Sequence, residues 1–83
     1  MKADEQRRVV VETVGYLRGV HPMRITPESS LESLGYDSLD RFDLAMRLEG
    51  EFVVTIPDPT IDAWQTVADV LATVRTLSPP TSH

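Results

Sequence analysis

Between Leu34 and Phe52 the chain reads LGYDSLDRFDLAMRLEGEF, and its chemistry centres on one hydroxyl, that of Ser38. Gly35 admits backbone conformations that other residues avoid. Asp37 is a preferred N-cap type, which sets Ser38 at the first position of the helix that follows. A serine placed there exposes its hydroxyl at a helix start. Asp37 and, in the first turn, Asp40 complement the positive end of the helix dipole, so this start is well specified. The nucleophilic use of such a serine is a Ser–His–Asp hydrolase with His21 as base. Against that reading, His21 is a lone histidine before a proline, and no G-x-S-x-G elbow surrounds the serine.

Size limits what the serine can do. A chain of 83 residues forms one small domain burying roughly 60 to 70 per cent of its unfolded surface, enough for one modest core. A deep cleft with a separate substrate domain is disfavoured. There is no cysteine, hence no disulfide framework, no zinc-type thiolate set and no thiol of the protein's own. No uninterrupted apolar run is longer than Val9 to Val11, and the opening MKADEQRR carries no hydrophobic signal region. A cytoplasmic protein without a membrane span is the expectation.

Charge narrows the partners. The net charge is −5, and ten of the thirteen acidic residues lie between Glu28 and Asp69 against only Arg41 and Arg47, so that this segment carries −8 and the flanks together +3. An acidic surface repels phosphate backbones and attracts basic protein patches, which speaks against nucleic acid and for cationic partners. On charge alone an ordinary solvated face accounts for the same distribution.

The elements that must position Ser38 follow from periodicity and capping. Asp4 to about Leu17 reads as a helix with Val10, Val14 and Leu17 on one stripe, widened by Val9 and Val11. Gly15 weakens its interior, and Gly19 terminates it. Val20 to Asp37 holds Pro22 and Pro27 and no sustained period, so it is a long ordered loop anchored by Ile25, Leu31 and Leu34. The second helix, Ser38 to about Phe52, carries two apolar stripes: Leu44, Leu48 and Phe52 face the core, and Leu39, Phe42 and Met46 lie nearer the serine. Its polar face pairs Asp43 with Arg47 and Arg47 with Glu51 at i, i+4.

Val53 to Pro57 is loop. Asp58 as N-cap with Pro59 at the first position predicts a short third helix to about Ala63, pinned by Ile61 and Trp64. Trp64, the only tryptophan, is assigned to the core or a pocket rim before ligand stacking. Thr66 with Asp69 forms a capping box for a fourth helix whose buried stripe is Val67, Val70, Leu71, Val74 and Leu77. Ser78, Pro79 and Pro80 stop it, leaving Thr81 to His83 frayed. The expected architecture is all-α: a small antiparallel four-helix bundle of three main helices and one short one, spanning 1–78, with a flexible tail over 79–83.

One set of residues carries more than a fold. L-x-x-L-G-x-D-S-L from Leu31 to Leu39, Leu44 and Leu48, E-F at Glu51 and Phe52, I-P-D at Ile56 to Asp58, and T-V at Thr66 together resemble the acyl carrier proteins. The match spans most of the chain, and its arrangement is far more specific than G-x-D-S alone. The resemblance implies that Ser38 is the attachment serine, where a phosphopantetheinyl transferase links 4′-phosphopantetheine, and that the protein is a monomeric carrier and no enzyme. The prosthetic thiol then supplies the sulfur the sequence lacks. A flexible arm raises the effective concentration of its acyl thioester at successive enzymes.

The resemblance further implies that the second helix meets partner enzymes. Asp37, Asp40 and Asp43 would face basic docking patches of a ketosynthase, an acyltransferase or another acyl-processing enzyme, and Leu39, Phe42 and Met46 would make apolar contacts. Leu48, Ile56, Ile61 and Trp64 would wall a pocket for a sheltered acyl chain, opened by movement of the short third helix. Departures from the fatty-acid pattern are Arg41 and Arg47 on a usually more acidic helix, the bulk of Phe42, and Trp64 in place of a smaller aliphatic residue. They favour a discrete carrier of a dedicated pathway, such as polyketide assembly. A peptidyl or aminoacyl carrier and a docking module that never receives the cofactor stay open as alternatives.

Overall fold

The computed structural model describes residues 1–81 and contains α1 (Ala3–Arg18), α2 (Ser38–Phe52), α3 (Asp58–Ala63) and α4 (Val67–Leu77). The expected all-α bundle is observed. α1 packs against both α4 and α2, and α3 packs against α2. The core between them is built from Val10 and Val14 of α1, Leu44, Leu48 and Phe52 of α2, and Val67, Val70, Leu71 and Val74 of α4. These are the apolar positions that helical periodicity places on one face of each helix.

α1 ends where Gly19 takes the left-handed conformation (φ 65°) and closes the last turn on the Gly15 and Tyr16 carbonyls. Gly15 has a packing reason: a Cβ there would collide with the Val20 carbonyl oxygen, so glycine lets the following loop fold back on the helix. The loop is ordered but not featureless. Pro22–Arg24 forms a 3-10 turn capped by His21, whose Nδ1 accepts the Met23 N–H at 3.1 Å. Ile25 and Leu31 are buried as anchors, and Leu34 packs against the core from its margin.

The loop also supports α4. The Val67 N–H donates to the Ser29 carbonyl (3.0 Å), the Ala68 N–H to the Pro27 carbonyl (2.8 Å) and the Leu31 N–H to the Gln65 carbonyl (2.9 Å). Otherwise orphaned amides at a helix start are thereby satisfied.

Several expectations are corrected. α3 begins one residue early: Pro57 is its N-cap, because the Pro57 carbonyl accepts the Thr60 and Ile61 N–H groups, and Asp58 makes no side-chain cap. Leu77 is 39 % exposed, since the last turn of α4 overhangs an open groove shared with Pro57 and Thr60. Arg47 pairs with neither Asp43 nor Glu51. Its guanidinium lies over the Tyr16 ring, 5.5 Å from the centroid, and the ion pairs among the described residues are Arg8–Glu12 and Arg18–Asp40. Thr81 lies beside the start of α1, its N–H donating to the Met1 carbonyl (2.9 Å). The fraying expected of Ser82 and His83 falls outside the described residues.

Gln6 was not foreseen in the core. It is fully buried and its amide donates to the Ser78 carbonyl, tying the start of α1 to the end of α4.

Candidate functional site

Ser38 stands at the first position of α2, exposed, immediately after an N-cap. The corner is a reciprocal capping box: Asp37 Oδ1 accepts the Asp40 N–H at 2.8 Å, and Asp40 Oδ2 accepts the Asp37 N–H at 3.0 Å. The backbone N–H of Asp40 holds the Asp37 carboxyl below the usual carboxylate range, helped by the Leu39 N–H and by the charge of Arg18. Both hydrogen-bonding groups that flank the serine are thus occupied with each other. The Ser38 hydroxyl and N–H have no partner among the described residues.

Three residues fix this corner from behind; sequence reasoning singled out Gly35 for its turn but assigned neither Tyr36 nor Arg18 this task. Tyr36 is buried, with its hydroxyl donating to the Val14 carbonyl at 2.7 Å, so the segment entering the corner is bolted to α1. Burial pushes its phenol pKa upward against the opposing pull of Arg18. Arg18 reaches across from the end of α1, lies 5.8 Å from the Tyr36 ring centroid and bonds Asp40 Oδ1 at 3.2 Å. Gly35, at φ 97°, makes the turn that brings Tyr36 under Arg18.

Arg41 is turned inward instead of toward a partner. Its Nε donates to the Trp64 carbonyl at 3.1 Å and its Nη1 reaches the Tyr36 carbonyl at 3.5 Å, joining the corner to the end of α3. The local spacing of Arg41 carries no signal of this reach to Trp64. Tyr36 sits outside any helical period and offered none.

The other named residues separate into two groups. Leu39 and Met46 are 80 % and 70 % exposed, Asp43 is exposed, and Phe42 is half-buried against the core edge. With Asp37 they form one solvent-facing surface beside Ser38, whereas Asp40 is already paired with Arg18. Leu48, Ile56, Ile61 and Trp64 are brought together, but as packed core, each 3 % exposed or less. His21 is spent on its own turn.

The arrangement is a rigid helical platform that displays one serine hydroxyl with no base of its own. The chain belongs to the family described as the phosphopantetheine attachment site, which it matches over residues 8–74. Within it, the chain is a member of the acyl carrier proteins, a family of carriers whose prosthetic group is covalent 4′-phosphopantetheine. It is 35 % identical over 69 residues to the meromycolate extension acyl carrier protein of Mycobacterium tuberculosis, covering 82 % of this chain and 60 % of that protein. The chain therefore spans about three fifths of the length of that relative.

Two solved structures are similar throughout. An acyl carrier protein of Thermotoga maritima superposes with a TM-score of 0.78 at 28 % identity, covering 93 % of this chain and 91 % of that one. The 3,7-dioxo-octyl actinorhodin acyl carrier protein of Streptomyces coelicolor gives 0.68 at 30 % identity, covering 93 % and 90 %. No helix among the described residues is long and apolar enough to cross a membrane.

The corner fits the prosthetic group. A phosphodiester on Ser38 Oγ would sit at the start of a 15-residue helix, beside the uncommitted Ser38 N–H, where an anion is favoured. The hydroxyl is exposed, and no described side chain competes for it.

Proposed function

We propose that Ser38 is the attachment residue and that the chain carries acyl intermediates of fatty-acid or polyketide assembly between enzymes. The observation that supports this most directly is the free Ser38 hydroxyl on a capping box braced by Arg18 and Tyr36. When attached, 4′-phosphopantetheine supplies a terminal thiol that holds the cargo as a thioester, in a protein with no cysteine. The chain's own residues position the arm. Asp37 and Asp40 fix the direction of the first turn, and the free Ser38 N–H would be available to the phosphodiester.

Docking to the phosphopantetheinyl transferase and to ketosynthase- or acyltransferase-type enzymes falls to the surface beside the serine. Leu39 and Met46 supply apolar contact there, and Asp37 and Asp43 face basic patches. The relatives named for meromycolate extension and for actinorhodin support an assembly-line role.

The test is intact mass after incubation with coenzyme A, magnesium and a broad-specificity transferase. A gain of one phosphopantetheine on the wild type and none on Ser38→Ala is the expected result. No gain, under conditions that load a control carrier, leaves a docking module without cofactor as the better account.

A further inference from the structure

A tethered apolar chain on a small helical carrier either enters the core or stays outside it, and the side chain that closes the core decides which. At the junction of α2, α3 and α4 that side chain is Trp64, 2 % exposed and the largest in the core. It is held on both sides. Its Nε1–H donates to Thr73 Oγ1 at 2.9 Å, and Thr73 in turn donates to the Asp69 carbonyl at 3.1 Å. Its own carbonyl accepts Arg41 Nε at 3.1 Å, and its N–H donates to the Ile61 carbonyl at 3.2 Å.

Thr73 also lines the open groove of about 310 Å³ between α3 and α4, together with Pro57, Thr60, Thr76 and Leu77. The residue that holds the indole thus belongs to the groove wall. Leu44, Leu48 and Val70, all fully buried, belong to the same core cluster as Trp64. Entry from the groove requires breaking the partly buried indole hydrogen bond and moving a large aromatic ring out of a close-packed core.

We propose that Trp64 is the cargo-selecting residue of this carrier: held by Thr73, it shuts the core to the tethered chain, so long unbranched acyl groups gain no shelter. The cargo class that suits such a carrier is short or polar-substituted chains, which do not need burial. This rests on the attachment of the arm at Ser38, and the experiment separates the two.

Wild type and Trp64→Leu are loaded with the amide analogues of hexanoyl- and hexadecanoyl-coenzyme A, and intact mass first establishes loading. A failure to load strikes the attachment reading and not this one. Burial of a chain stabilises the folded state in proportion to the methylenes removed from water. The loaded wild-type forms should therefore melt within about 2 °C of each other, and hexadecanoyl-loaded Trp64→Leu at least about 5 °C above its hexanoyl form.

A length-dependent rise in the wild type, or none in a folded Trp64→Leu, overturns the proposal. A measurement on the wild type alone covers poor folding of the variant. Loading with a hexadecanoyl chain brominated near its end should leave most of the emission of the single tryptophan intact, and loss of most of that emission likewise overturns it.

Discussion

The starts of α2 and α4 use the same device for different ends. Each is a capping box in which an N-cap side chain takes the N–H of an aspartate three residues on and that aspartate takes the N–H of the cap, Asp37 with Asp40 and Thr66 with Asp69. At α4 the first two helical amides are also taken, by the Ser29 and Pro27 carbonyls, and the first residue, Val67, is 1 % exposed. At α2 the first residue is Ser38, exposed, with a hydroxyl and an amide left free. One helix start is sealed by the long loop and builds the core; the other is braced only from behind and faces outward. Capping chemistry makes a helix start, and what packs over it decides whether it is structure or site.

The largest effect should come from removing the serine. Ser38→Ala loses all phosphopantetheine loading by intact mass, while its unfolding free energy moves by less than about 0.5 kcal/mol, as for an exposed position. Moving the hydroxyl to the sealed start should not restore it. Val67→Ser in the Ser38→Ala background stays unloaded and loses about 2–4 kcal/mol in urea unfolding, from lost apolar burial and a buried hydroxyl. Loading of that double variant would show that the loop does not distinguish the two starts.

Removing either cap should cost a similar, smaller amount. Asp37→Ala and Thr66→Ala each lose about 1 kcal/mol of stability by denaturant titration. Only Asp37→Ala should also slow loading, because only that box aims a functional group.

The smallest effect is in pH. The Gln65 and Thr66 N–H groups hold the Asp69 carboxyl below its ordinary value of 3.8, and Asp37 is depressed likewise by the Asp40 N–H. A depressed carboxylate adds stability that is complete above the unfolded value and is lost as pH falls through the folded one. Melting temperature should therefore fall below about pH 4, and Asp69→Asn should flatten that fall. At the other extreme, the raised phenol of Tyr36 adds stability below pH 10 that is lost above it. Tyr36→Phe should remove part of that alkaline loss.

The sequence by itself determined the helices, the Asp37 cap, the Thr66–Asp69 capping box, the end of α1 at Gly19 and the position of Ser38 as the first residue of α2. These follow from interactions within about four residues, through caps, glycine turns and the period of apolar side chains, so the local chain contains the whole physical cause. Loop anchoring by Ile25 and Leu31 was legible for the same reason, since isolated apolar residues in a loop have few other uses.

Only the tertiary structure decided what surrounds those elements. Tyr36 reaches Val14, Arg18 reaches Asp40, Arg41 turns to Trp64, and Trp64 is held by Thr73. Each of these contacts joins different segments of the chain, and no spacing encodes it. Local spacing suggested Arg47 pairing with Asp43 and Glu51, and the tertiary contact with Tyr16 prevailed, because an exposed ion pair is worth little and a ring face was within reach. Leu48, Ile56, Ile61 and Trp64 were identified from sequence as one group; that they form a filled core, with Trp64 held in place, depends on the volume left when four helices close together, a property of the packed whole.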